Sequence, residues 1–152
     1  MNRATPPPEC PVLVTEDDPT LRKLLATALR RRRLSLQTAA NGQEALALLE
    51  EREWLVLILD LMMPAVSGWD VIAWMSSHPD RKPNTVIVVS AVDREMLKKL
   101  DPTVVNAIFF KPFDVFHLAS YVKTACNLHH RDRRKRRLIG DEGERSITPA
   151  GH

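Results

Sequence analysis

A parallel α/β sheet of five strands covered by helices on both faces is the fold this 152-residue sequence predicts, on three observations. Short apolar runs rich in β-branched residues alternate with segments whose apolar residues recur at helical spacing, and a repeated strand–helix unit calls for a parallel sheet with right-handed crossovers. The clearest of these runs is apolar throughout, as a strand buried on both faces must be. With 44% hydrophobic and 27% charged residues, the chain fits one soluble domain with a sizeable core and modest tails.

The elements follow in order. Residues 1–9, MNRATPPPE, form a Pro-rich lead expected to be disordered. Pro11–Thr15 reads as a short buried strand, followed at once by Glu16, Asp17 and Asp18. Asp18–Pro19 is a good N-cap and first-turn pair for a helix whose apolar face carries Leu21, Leu24, Leu25, Ala28 and Leu29. Arg30–Arg33 lie near its end, where cations suit the helix dipole. Leu34–Ala40 alternates weakly as an edge strand, and Asn41 with Glu44 resembles a capping box for the helix of Ala45, Leu48 and Leu49.

Leu55–Leu59 is the densest apolar run and ends on Asp60. Met63–Pro64 then breaks the chain, and Gly68 opens a helix with Val71, Ile72 and Met75 on one face. Asn84–Val89 is a fourth strand ending on Ser90–Ala91. Asp93 caps a short helix to Leu100, which Pro102 keeps from extending far. Val104–Phe110 is the last strand and ends on Lys111–Pro112. From Asp114 a final helix passes Val115, Leu118, Ala119, Val122 and Cys126 into a basic tail. The expected organisation is a domain over residues 10–129 and a basic, polar tail over 130–152.

The formal net charge of +3 is unevenly spread. Arg131–Arg137 holds five Arg, one Lys and one Asp, a net +5, so the remainder is slightly acidic. Cys10 and Cys126 show neither metal-ligand spacing nor a disulfide framework, and reduced thiols are the expectation. The N-terminus lacks the apolar core of a signal peptide and no apolar run approaches about 18 residues, so a cytoplasmic protein without a membrane span is expected.

Four strands end on polar or charged groups: Glu16 and Asp17, Asp60, Ser90, and Lys111. In a parallel sheet these ends share one rim, where ligands collect. Each alone reads as a solvated turn residue; four at the same structural position favour a site. Three carboxylates brought together repel, and a divalent cation relieves that cost. Oxygen donors without His or Cys select Mg2+ over zinc. A lysine and a hydroxyl beside the metal complete a set suited to phosphoryl oxygens, with Asp60 as the nucleophile that forms an aspartyl phosphate.

The stretches VLVTEDDPTLRKLL, LVLILDLMMPAVSGWDVI, VIVVSA and FFKPF, in this order and spacing from about Cys10 to His129, resemble the receiver domains of bacterial two-component response regulators. The resemblance implies a flavodoxin-like (βα)5 fold with strand order 2-1-3-4-5. It implies Asp60 as phosphoacceptor, Mg2+ held by Glu16, Asp17, Asp60 and the backbone carbonyl of Met62, and Ser90 and Lys111 on the phosphoryl group. It also implies a cis Lys111–Pro112 bond, which is uncommon for X–Pro bonds in general.

This sequence departs from the family pattern at several positions. Ile108 stands where an aromatic ring commonly couples the site to the surface, and Phe109 and Phe110 differ from it in register and do not replace it. Glu16 replaces a more common Asp. Met62 and Val92, two residues beyond Asp60 and Ser90, are apolar where polar side chains can orient a hydrolytic water, so slow loss of the phosphoryl group is expected.

The resulting expectation is a signalling receiver that catalyses only its own Mg-dependent phosphorylation and dephosphorylation. Its partners would be a sensor histidine kinase or phosphotransfer protein and a downstream protein, with pairing of two copies through the last helices a further option. A nucleic-acid-binding regulator using the basic tail is the alternative, disfavoured because residues 138–152 are too short and polar for a separate DNA-binding domain. A haloacid-dehalogenase-type enzyme needs a second acid where Met62 stands, and the acids after the first strand would repel a flavin phosphate. Trp54, Trp69 and Trp74 fit packing roles, and His78, His117, His129 and His130 show no ligand geometry.

Overall fold

The apolar runs become strands because their branched side chains fill both faces of a pleated sheet. β1 spans Pro11–Thr15, β2 Ser35–Ala39, β3 Val56–Asp60, β4 Thr85–Ser90 and β5 Ala107–Phe110. The computed structural model describes residues 10–146, with side-chain surroundings to residue 139; the lead over 1–9 and residues 147–152 lie outside the described residues. The strands are parallel throughout and ordered β2-β1-β3-β4-β5. Helices α1 (Pro19–Arg31), α2 (Gly42–Glu51), α3 (Gly68–Ser77), α4 (Arg94–Leu97) and α5 (Val115–Ser146) connect or follow them, giving the flavodoxin-like (βα)5 arrangement.

Alternation along the central strands divides the core in two. Leu13, Leu57, Leu59, Val86 and Val88 pack with Ala45 and Leu49 of α2 and Val71, Ile72 and Met75 of α3. On the opposite face Val12, Val14, Val56, Ile58, Ile87 and Val89 pack with Leu25 and Leu29 of α1 and Leu118 and Val122 of α5. β2 is the partly exposed edge that its weak alternation predicts. Caps fix the helix entries: the Asp18 carboxylate accepts from Thr20 N–H and the Asn41 side chain from Glu44 N–H. At α3, Ser67 and Asp70 form a reciprocal capping box, so the helix opened at Gly68 is started by the serine before it.

Several expectations are corrected. The helix expected to reach Leu100 is regular only over Arg94–Leu97 and ends in turns. The last strand starts at Ala107, because Asp101 accepts from the Thr103 N–H and hydroxyl and holds Val104 in a turn. Leu24, expected on the buried face of α1, is 54% exposed. It sits at the margin of the apolar stripe, which leaves it on a surface groove. Cys10 and Cys126 are bonded to each other, with 6.0 Å between their α carbons. They lie 116 residues apart, and only the packing of the start of β1 against α5 brings them together. α5 is a single helix of 32 residues that continues past residue 129.

Candidate functional site

The rim at the carboxyl ends of β1, β3, β4 and β5 gathers the predicted residues. All of β3 is buried, Asp60 included, and Glu16 directly after β1 is fully buried. Asp60 stands beside Val89 in register and Ser90 beside Phe110. The Lys111 N–H donates to the Ser90 carbonyl at 2.8 Å, fixing the lysine next to the hydroxyl-bearing strand. The Lys111–Pro112 bond is cis, as the resemblance implies.

Lys111 Nζ lies 3.1 and 3.2 Å from the two Glu16 carboxylate oxygens and 3.2 Å from Asp60 Oδ2. Asp60 Oδ1 accepts from the Met62 N–H at 3.1 Å, so the backbone at Met62 is drawn to the acid. Ser90 Oγ is buried and accepts from the Val92 N–H at 2.9 Å. One ammonium is therefore shared between two buried carboxylates.

The electrostatics follow from that shortage of positive charge. Burial, reinforced by the neighbouring Asp60 charge, pushes the Glu16 carboxyl from its usual 4.5 up to about 7, and Lys111 only partly offsets this. Asp60 is also raised, chiefly by burial, against the opposing pull of Lys111 and the Met62 N–H. Burial works to lower the Lys111 ammonium, but its hydrogen bond to Glu16 and the Asp60 charge outweigh that and raise it.

Glu16, Asp17 and Asp60 each offer an oxygen within 4.8 Å of the others. The donor set is all carboxylate, two of the three groups are buried, and burial, with the Asp60 charge, raises the Glu16 carboxyl. These properties fit a hard divalent cation with oxygen ligands and do not fit a zinc site.

Other residues of the site have no signal in the sequence. Arg22 Nη1 donates to the Glu16 carbonyl at 2.9 Å and the Asp17 carbonyl at 3.3 Å, clamping the acid-bearing turn from a position that reads as ordinary exposed helix. Phe110 corrects the reading of β5. It shares the face of Ile108 two residues on, stands beside Ser90, and lies under the Arg94 guanidinium at 5.0 Å. Ile108 faces outward at 36% exposure, while Phe109 on the other face meets Phe113, His117 and Tyr121 edge-on.

The tryptophans and histidines lie outside this cluster. The Trp54 indole donates to the Leu48 carbonyl at 2.8 Å, Trp69 is half-buried against the core, and His78 stacks on Trp74. The Arg131–Arg137 run is exposed along α5. No helix among the described residues is long and apolar enough to cross a membrane.

The family model of the response regulator receiver domain matches residues 12–123. The transcriptional regulatory protein SrrA of Staphylococcus aureus is 32% identical over 84 residues, which is 55% of this chain and 34% of SrrA; the match spans about a third of that relative's length. The response regulator TrrA of Thermotoga maritima, solved in complex with Mg2+–BeF, superposes with a TM-score of 0.65 at 27% identity, covering 76% of this chain and 97% of TrrA. The receiver domain of the Francisella response regulator 1452 superposes with a TM-score of 0.70 at 24% identity, covering 77% and 96%, and supports the fold.

Proposed function

The chain belongs to the response regulator receiver domains, and on that premise we propose that it accepts a phosphoryl group on Asp60 and thereby switches a partner-binding surface. The observation that carries the residue assignment is the buried pair of carboxylates, Glu16 and Asp60, sharing the single Lys111 ammonium. Such a site is short of positive charge until a cation joins it. Glu16, Asp17, Asp60 and the Met62 backbone carbonyl would hold Mg2+, which when bound supplies charge to offset the carboxylates and an incoming phosphoryl group.

The chemistry assigned to the chain's own residues is brief. An Asp60 carboxylate oxygen attacks the phosphorus of a phosphohistidine or a small phosphodonor, and the bond from phosphorus to the donor breaks. Lys111 leaves its carboxylate partners to meet a phosphoryl oxygen, and Ser90 Oγ turns from the Val92 N–H toward another. Receiver domains are phosphoryl-accepting signalling modules; self-catalysed phosphorylation and slow dephosphorylation are the finer part of the proposal, the latter because Met62 and Val92 place no polar group for a hydrolytic water.

A sensor histidine kinase or phosphotransfer protein would supply the phosphoryl group, docking beside Lys111 where Leu24 lines an open cleft with Ala91, Pro112 and Phe113. The receiver proper is proposed to span 10–129, with 130–152 as a tail, in a cytoplasmic setting. The nucleic-acid reading has less support: beyond Cys126 the described residues add a charged helix and no second fold.

The readout is proposed to run through the loop after Ser90 rather than through Ile108, whose stiff χ1 and outward position give it no second rotamer to fill. Chemical-shift mapping with Mg2+ and beryllium fluoride tests both parts. Changes should centre on Asp60 and residues 91–94 and vanish in Asp60→Asn. Changes centred on Ile108 would refute the readout, and an unaltered response in Asp60→Asn would refute the site.

A further inference from the structure

We propose that Cys10 and Cys126 form a reversible thiol-oxidation site that fastens the middle of α5 to the start of β1. The two α carbons are 6.0 Å apart, inside the range a disulfide spans without moving the backbone. Both side chains are buried in the apolar layer of Leu118, Val122 and Val12. Reduced cysteine packs in such a place as a small hydrophobe, so the fold accommodates either redox state.

Position gives the pair its consequence. Cys126 is the last residue of α5 buried in the core, and the helix continues as a projection of about 30 Å at 1.5 Å per residue to Ser146. Closing the bond ties the base of that basic projection to the central sheet. Opening it leaves the base held by packing alone.

A cleft opens beside Cys10. Pro11, next to Cys10, lines a small cleft of about 120 Å3 with Trp54, His129 and Arg133. His129 and Arg133 lie three and seven residues beyond Cys126, on the same face of α5.

With glutathione disulfide as oxidant, one cysteine thiolate attacks a glutathione sulfur and releases one glutathione thiolate. The second cysteine thiolate then attacks the mixed disulfide and releases the other. The two protein thiols lose two electrons and two protons, and the glutathione disulfide is reduced to two thiols.

The test is equilibration of the full chain across ratios of reduced to oxidised glutathione, followed by acid quenching, alkylation and intact mass measurement. The expected result is a single reversible transition to a species lighter by two hydrogens, with the peptides of Cys10 and Cys126 joined. The oxidised form should melt about 10 °C higher, as closure of a loop this long implies. Cys10→Ala and Cys126→Ala should each abolish that difference; if either fails to fold, wild type with and without dithiothreitol carries the same comparison. Thiols that stay alkylatable in fully oxidised glutathione, a bond that survives excess reduced glutathione in the folded chain, or equal midpoints would each overturn the proposal.

Discussion

Thr15, Glu16 and Asp60 show how single residues set the character of the site. Thr15 Oγ1 is a buried side-chain oxygen without a hydrogen-bond partner, one residue before Glu16. Replacing it with the isosteric valine removes an unpaired polar group without opening a cavity, so Thr15→Val should raise stability by up to about 1 kcal/mol in chemical denaturation; a loss would mean that the hydroxyl is satisfied in solution. Glu16 sets a pH dependence. Its carboxyl titrates near 7 in the fold against 4.5 ordinarily, so the fold binds the proton more tightly than the unfolded chain does. The stability tied to that proton is complete below about 4.5 and is lost as pH rises through about 7. Without Mg2+ the thermal midpoint of wild type should therefore fall between these values relative to Glu16→Gln, and added Mg2+ should flatten the difference. A wild type that gains stability over this window relative to the variant would show that Glu16 is ionised throughout. Asp60, Ser90 and Lys111 were legible because each ends an apolar run, whereas Arg22 acts through backbone carbonyls and carries no periodic signal. Phe110 shares the face of Ile108 two residues on, a relation that the registers of adjacent residues hide.

Elements hold these residues in place, and the connection from β3 to α3 does so most directly. The Gly68 N–H donates to the Leu61 carbonyl at 3.0 Å, and a Cβ at Gly68 would overlap the Asp60 carbonyl oxygen and come within 2.6 Å of Leu61 Cα. Backbone cannot yield as a side chain tip can. Gly68→Ala should thus displace the turn carrying Asp60, lowering stability by about 2 kcal/mol and weakening Mg2+ binding together, as read by denaturation and by a metal titration; unchanged values for both would mean that the turn gives way freely. Within the same connection Ala65 adopts φ 64°, a left-handed turn that an alanine does not announce. Strand and helix existence was readable from periodicity, while the ends were not: Asp101 turns the chain before β5 by accepting from the Thr103 N–H, and Asn106 accepts from the Val86 N–H on β4, a neighbour remote in sequence.

At the scale of the molecule, the sheet order and both core layers follow from alternating β-branched runs and amphipathic helices, but the joining of Cys10 to Cys126 does not. Their separation of 116 residues has no local trace, and only the finished fold brings β1 and α5 into contact. The same packing bounds the body: after Cys126, α5 contributes no buried residue among those described. Truncation after Leu128 should shift the thermal midpoint by no more than about 3 °C, and a much larger drop would mean that the basic helix packs on the body in solution. The central claim, that the rim is a phosphoryl-accepting site built on Asp60, is tested most directly by intact mass spectrometry after incubation with acetyl phosphate and Mg2+. Wild type should gain one phosphoryl group that is lost on mild alkaline treatment, and Asp60→Asn, or wild type in excess chelator, should gain none. Equal gain in wild type and Asp60→Asn would contradict the account.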